Sequence, residues 1–445
     1  MSKTVRLILF LLFVVAFLIS APLVVLYTAG YRLDLGRGRI VHTAVLNISS
    51  LPRNANIAID GQELSDRTPA VIETIVPGEH EVRLTKSGYL PWSQVIAFES
   101  RVATFATDVV LFLEGSESPT QTVSAVRSSV SPDLSRLAYV TQSSSWLEVW
   151  TTTGSPDSTK LLMRLPSSTL STQTLSWSLT GKYLLFSQAV GEREELLIAR
   201  IQDGTAIELP VLAGTIEDHW WDASQDDLLY VFSQSEGVRR ISLSGERLET
   251  FPLSAARTQS FGDRDLLLTH SNDRSILSFD EDGTASILTY LPLGTYEFVR
   301  GPRGLVSLYE EGRHRLILLD PNNREQPIIL NEEATLWSWN DAGDQLLTTS
   351  GYDLKRFTLH ARISETLTRL STPIDRLAWY PLGAVALFQS NGATNALRLD
   401  DPSGPTQLTL IENRHGPFWT DTAGDALYLL NDTNAEDTIF VRQLQ

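Results

Sequence analysis

The chain changes its hydrophobic pattern twice. From Leu7 to Tyr27 it reads LILFLLFVVAFLISAPLVVLY, 21 residues without a charge. A helix of that length, rising about 1.5 Å per residue, reaches across a hydrocarbon core of about 30 Å. The run therefore predicts a transmembrane anchor over residues 1–28, with the lipid bilayer as a partner through residues 7–27. The apolar stretch exceeds that of a signal peptide, and Pro22 would sit just after a cut at Ala21, so the anchor is expected to stay uncleaved. Cations lie on both flanks, Lys3 and Arg6 before the run and Arg32, Arg37 and Arg39 after it, so orientation has to be argued from the domains.

Beyond a linker at residues 29–42, the text alternates with period two in VLNIS, ANIAIDG, EHEVRLTKSGY and ATFATDVVLFL. That is the pattern of half-buried antiparallel strands. Asp60-Gly61 is a hairpin signal, because a primed turn needs residues that accept positive φ, and Pro77-Gly78 and Ser87-Gly88 add two turns. Residues 43–115 are expected to form a small β-sandwich. The order Pro52, Ala55, Ile57, Ile59, Gly61, Thr68, Pro69, Pro77, Gly78, His80, Val82, Lys86, Gly88 and Tyr89 resembles the PEGA domain of bacterial surface proteins, with Arg53-Asn54 in place of that family's Glu-Gly. The resemblance implies an extracytoplasmic module for envelope attachment or display. His80 reads as a hairpin residue packed on the next strand rather than as a site.

From residue 121 to 445 one pattern recurs: a strand end, a polar turn with Gly or Asp, and a second apolar strand. Clear copies are SPDLSRLAYVTQ from Ser131, WSLTGKYLLFSQ from Trp177, WNDAGDQLLTTS from Trp339, WYPLGAVALFQS from Trp379 and WTDTAGDALYLL from Trp419. Weaker copies begin at Trp221, Phe261 and Val299. Units of about 40 residues, most continuing into two further strands, are the signature of propeller blades. The expected class is all-β: an N-terminal transmembrane helix, a PEGA-like sandwich, then a propeller of about eight four-stranded blades. Seven blades result if the unit at Phe261 is a loop. The repeat resembles those of TolB-like propellers and of the propellers in prolyl-oligopeptidase-type peptidases, whose hydrolase half is missing. A strand near Thr120 to Ala125 is expected to complete the last blade.

Charge narrows the partners. Lys and Arg number 36 against 53 Asp and Glu, a net charge of -17, which repels nucleic acid. The chain has no cysteine, which removes disulfides, thiolate metal sites and cysteine nucleophiles. Nucleophile elbows, phosphate-binding glycine loops and paired metal-ligand histidines do not occur. Histidines 42, 80, 219, 270, 314, 360 and 415 are scattered. The sequence thus names no catalytic, cofactor or metal residues. Asp280-Glu281-Asp282-Gly283-Thr284 is faintly calcium-loop-like but reads as a hairpin turn. Glu192, Glu194 and Glu195, and Asp400-Asp401, read as solvated turns. Trp177, Trp339 and Trp379 stand four residues before a hairpin glycine, with Trp221 and Trp419 near the same register, and are expected to pack between blades. Trp146, Trp150, Trp220 and Trp337 are less regular, and some are expected to line a ligand face. The resulting expectation is an envelope binding or scaffolding protein, not an enzyme, whose partner is an envelope polymer or a surface protein. The alternatives are a propeller hydrolase or lyase, which needs carboxylates converging on the propeller axis, and a membrane sensor subunit.

Overall fold

A computed structural model describes residues 3–28, 31–34, 39–167, 173–190, 193–209, 215–244, 248–281, 284–431 and 437–445. The chain forms two compact units, residues 1–114 with 398–406 and 445, and residues 115–397 with 407–444.

The first unit opens with helix α1, Lys3–Thr28. Among the described residues no helix is long and apolar enough to cross a membrane. The expected span is therefore present as a helix but not established as a crossing. The segment read as a linker carries a hairpin, Tyr31–Asp34 against Arg39–His42.

Two sheets follow. Ala44–Leu51 lies between Ala70–Ile75, antiparallel, and Ala103–Val110, parallel. The second sheet has the order Gln62–Arg67, Asn56–Ile59, Gly78–Thr85, Trp92–Phe98. Alternation places Leu46, Ile48, Ile57, Val82, Leu84, Trp92, Ile96 and Phe98 in one core. The Asp60-Gly61 hairpin forms as expected, with φ of 50° and 77° and Ile59 opposite Gln62. Thr68 shows why a threonine belongs before its proline: its buried Oγ1 accepts the Ala55 amide at 2.9 Å and shares a hydrogen bond with the Ser50 hydroxyl at 2.6 Å. His80 does lie in the hairpin region, with Nδ1 2.6 Å from an Asp60 oxygen, Nε2 2.7 Å from the Val76 carbonyl and its ring near Phe98. Asp401 corrects the expectation of a solvated turn, since it is buried and accepts the Trp92 indole N–H at 3.1 Å. Burial pushes its carboxyl above the usual carboxylate range.

The second unit holds eight four-stranded antiparallel sheets. In chain order they are sheet 1 (residues 125–166), sheet 2 (173–207), sheet 3 (218–250), sheet 4 (255–292), sheet 5 (296–333), sheet 6 (336–369), sheet 7 (374–411) and sheet 8 (418–443 with 118–123). The unit at Phe261 is a complete sheet, so eight replaces the alternative of seven. Ser118–Val123 pairs with Asp437–Gln443 and supplies the fourth strand of sheet 8, as expected of a closing strand. Sheet 8 also packs on sheet 1, where Trp419, Leu430 and Ile439 meet Leu137 and Tyr139. The ring is thereby closed, and no sheet needs a second hydrophobic layer beyond its two neighbours.

Tryptophans lock neighbouring sheets. Trp177 donates its indole N–H to the carbonyl of Ser129 at 3.2 Å, Trp221 to that of Ser176 at 3.3 Å, and Trp379 to that of Ser338 at 2.8 Å. Each acceptor lies on the first strand of the preceding sheet, and Ser176 and Ser338 immediately precede Trp177 and Trp339. Gly181, Gly343 and Gly383 take positive φ four residues after Trp177, Trp339 and Trp379, so the turn that reverses each strand follows the lock at constant spacing.

Candidate functional site

The first strands of sheets 1 and 2, of sheets 4 and 5, and of sheets 6 and 7 lie side by side, and those of sheets 3 and 4 are joined by the Trp220 indole N–H on the Thr258 carbonyl. Polar side chains near their starts are thereby brought together across several sheets. Asp218 and Trp220 stand on the first strand of sheet 3, Arg257 on that of sheet 4 and Glu297 on that of sheet 5. Arg257 lies 2.7 Å from Asp218 and 3.6 Å from Glu297, and its guanidinium sits 4.1 Å from the centre of the Trp220 ring. The ring is fixed in turn, because its N–H donates to the Thr258 carbonyl at 3.1 Å and its face stacks on Tyr230.

The band extends in both directions. On one side His219 Nδ1 stands 3.4 Å from Glu194 of sheet 2. On the other, Tyr309 follows Glu297 across the strand pair, packs on Trp337 of sheet 6 at 4.6 Å between ring centres, and meets His314 Nδ1 at 2.8 Å. Burial raises the Glu297 carboxyl above the ordinary glutamate range; Arg257 opposes that shift, while Glu311 and Asp218 reinforce it. Burial likewise raises the Tyr309 phenol, with Glu311 adding to the effect. Asp218 and Glu297 thus share one arginine, with Glu311 beside Glu297 and Glu194 beside His219. The band presents the carboxylates of Asp218 and Glu297 near the Tyr309–Trp337 pair, Trp220 being covered by Arg257 and Tyr230, which suits a cationic group on a flat or apolar body.

Trp220 and Trp337 belong to this band, whereas Trp146 is exposed beneath Arg164 and Trp150 bonds Thr141 within sheet 1. Glu194 and Glu195 correct the expectation of solvated turns: both lie on the strand Arg193–Arg200, and Glu195 accepts from Gln188 at 2.7 Å. Glu192, Asp282 and Gly283 lie outside the described residues, while Asp280 and Glu281 pair with Ala285 and Thr284 as hairpin arms. Asp222, the most buried carboxylate of sheet 3, is a strut, accepting from Tyr230 Oη at 2.9 Å and the Ser260 amide at 2.8 Å. His270 bonds Ser275, His42 contacts Arg101, and His360 and His415 are exposed. Among the described residues no group of three His, Asp or Glu is placed to hold a metal ion.

The sequence reading named neither Asp218, Arg257 nor Glu297. Their signal was a charged residue near the start of three successive first strands, visible only once the repeats are aligned by strand register.

The second unit is an eight-sheet β-propeller with an acidic, aromatic-flanked band. Residues 43–111 of the first unit match the PEGA domain family. No curated protein matches the chain. Among solved structures, the chain is similar to a eukaryotic initiation factor, with a TM-score of 0.50, 11% identity, and coverage of 79% of this chain and 91% of that one. An oligogalacturonate lyase in complex with manganese gives 0.42 at 11% identity, covering 75% of this chain and 98% of that one. An uncharacterized protein from Listeria monocytogenes gives 0.45 at 11% identity, covering 69% and 99%. At such identities the likeness concerns the fold alone. A propeller carried together with a PEGA domain suggests an interaction or scaffolding platform.

Proposed function

We propose that this chain is a membrane-anchored, extracytoplasmic binding protein of the cell envelope, whose propeller takes a cationic segment of an envelope polymer or surface protein at the band around Arg257. The carrying observation is that Asp218 and Glu297 flank Arg257, with Glu311 beside Glu297, Glu194 beside His219, and the Tyr309–Trp337 pair alongside. Attachment through α1 is supported by its exposed side chains. Ile8, Leu9, Phe10, Leu11, Leu12, Phe13, Phe17, Leu18 and Ile19 are all exposed on consecutive turns, and a helix apolar all round needs an apolar environment. The PEGA match supports placement outside the cytoplasm.

A second reading, a glycan hydrolase or lyase, draws on the same residues. Asp218 and Glu297 are two carboxylates on one arginine, one of them shifted upward by burial, as acid–base pairs are. The discriminating experiment incubates the chain in detergent with isolated envelope material and with glycoside and peptide panels. Co-sedimentation that weakens with salt, without product release, supports binding. Product release abolished by Glu297→Gln overturns it in favour of the hydrolase.

A further inference from the structure

The outermost strand of each propeller sheet is an edge with unpaired backbone groups, and such edges are ordinarily guarded by charge, proline or brevity. Sheet 1 ends in Lys160–Pro166, which carries Lys160, Arg164 and Pro166. Sheets 2 and 3 end in strands of two and three residues. The edges of sheets 5 and 6 carry Glu332 and Glu333, and Glu365 and Arg369. Those of sheets 7 and 8 are uncharged but six residues long, the latter with Pro119. Sheet 4 differs. Its edge, Thr284–Pro292, reads TASILTYLP, nine residues with no charge and proline only at the end. It leaves Ile287 46% and Tyr290 54% exposed.

Beside this edge lies a cavity of about 420 Å³, lined by Tyr290 and Leu291 of sheet 4 and by Arg313, Arg315, Ile317 and Ile328 of sheet 5. Of its charged lining, Glu310, Arg313 and Arg315 are engaged within the protein, while Glu333 stands exposed. Arg313 donates to the Leu293 carbonyl at 3.0 Å, Arg315 to Asn331 Oδ1 at 2.9 Å, and buried Glu310 accepts the Arg313 amide at 2.7 Å. What the cavity offers an entrant is therefore the apolar surface of Tyr290, Ile317 and Ile328, with the Glu333 carboxylate beside it. Its volume suits one large side chain with room beside it.

We propose that Thr284–Pro292 is a strand-addition site, where an extended, uncharged peptide strand of a partner protein pairs with the edge and places an apolar side chain in the cavity between sheets 4 and 5. Backbone hydrogen bonds supply affinity and the cavity supplies selectivity. An uncharged edge complements an uncharged strand, since Arg274, which lies over the Tyr290 ring, is already paired with Asp273. A second copy of this chain is disfavoured by mutual repulsion, each copy carrying -17. The site is separate from the band around Arg257 and stands or falls apart from it.

The test is fluorescence anisotropy of the full chain in detergent against a labelled, end-capped peptide alternating threonine with valine, with one central phenylalanine and terminal lysines. Saturable binding is expected, weakened at least about tenfold by Ile287→Lys and by Tyr290→Ala, both exposed positions that leave the melting temperature unchanged. Ile363→Lys, on the exposed edge of sheet 6, should leave it intact. Absence of saturable binding, or binding indifferent to both edge variants, overturns the proposal. A dimer in sedimentation that Ile287→Lys dissociates also overturns it, by identifying the occupant as a second copy.

Discussion

Arg257 stands 2.7 Å from Asp218 and belongs to the next sheet, so a single guanidinium holds the first strands of two blades together while setting the charge of the band between them. It is also the group that holds the Glu297 carboxyl down against burial. Arg257→Gln should move the Glu297 titration further upward, because the opposing positive charge is gone while the desolvation remains. Carboxyl carbon shifts read by NMR check this; an unchanged or lowered Glu297 titration contradicts the assigned geometry.

The tryptophan locks make a differential prediction. Trp379 donates to the Ser338 carbonyl, whereas Trp339 Nε1 is buried without a hydrogen-bond partner. Trp379→Phe removes a made hydrogen bond and should cost about 1–3 kcal/mol, while Trp339→Phe removes an unpaired donor and should cost less than about 1 kcal/mol. Denaturant unfolding of the two variants checks the order. Equal losses would mean that ring area, not the bond to the preceding sheet, dominates.

The repeats were legible because their turn glycines and tryptophans keep one spacing, and the second strand of each repeat is a short apolar run, as in Leu137–Gln142, Tyr183–Val190 and Val385–Ser390. Even the closing strand was legible, since the last repeat lacked its fourth strand and Ser118–Val123 stood unassigned upstream. The band was not. Asp218, Arg257 and Glu297 come from three repeats, and no local spacing announces that side-by-side first strands will gather them. Asp401 misled for a related reason: two adjacent aspartates read as a solvated turn, and only the Trp92 indole, distant in sequence, explains why one is buried.

Thr68 carries a fold prediction for the PEGA domain. Thr68→Val keeps the shape but strands the buried Ala55 amide and leaves the Ser50 hydroxyl only its bond to the Pro52 carbonyl, a loss of about 1–3 kcal/mol by thermal or denaturant unfolding. Thr68→Ser, which keeps the hydroxyl, should recover most of it. If serine is as damaging as valine, the methyl group and not the hydrogen bonds sets the requirement.

Acid should act on the same domain through Asp60. The hydrogen bond from His80 holds the Asp60 carboxyl below its ordinary value of 3.8, helped by the Glu81 amide. A carboxylate depressed in the folded state contributes stability that is present above about pH 4 and is lost as the pH falls through the depressed value. Asp60→Asn should remove that part of the acid dependence, so its melting temperature should converge on that of the parent chain below pH 3 and lag behind it at pH 5. Parallel curves over the whole range would contradict the assignment.

Under the proposed function, the band binds a cationic partner and does not turn it over. The most direct measurement compares co-sedimentation with isolated envelope material for the full chain in detergent and for the double variant Asp218→Asn, Glu297→Gln, with released products followed in the same tubes. The account predicts saturable, salt-sensitive binding by the parent chain, at least about tenfold weaker in the double variant, with no product in either. Binding unaffected by the double variant, or product released by the parent chain and lost in the variant, would contradict it.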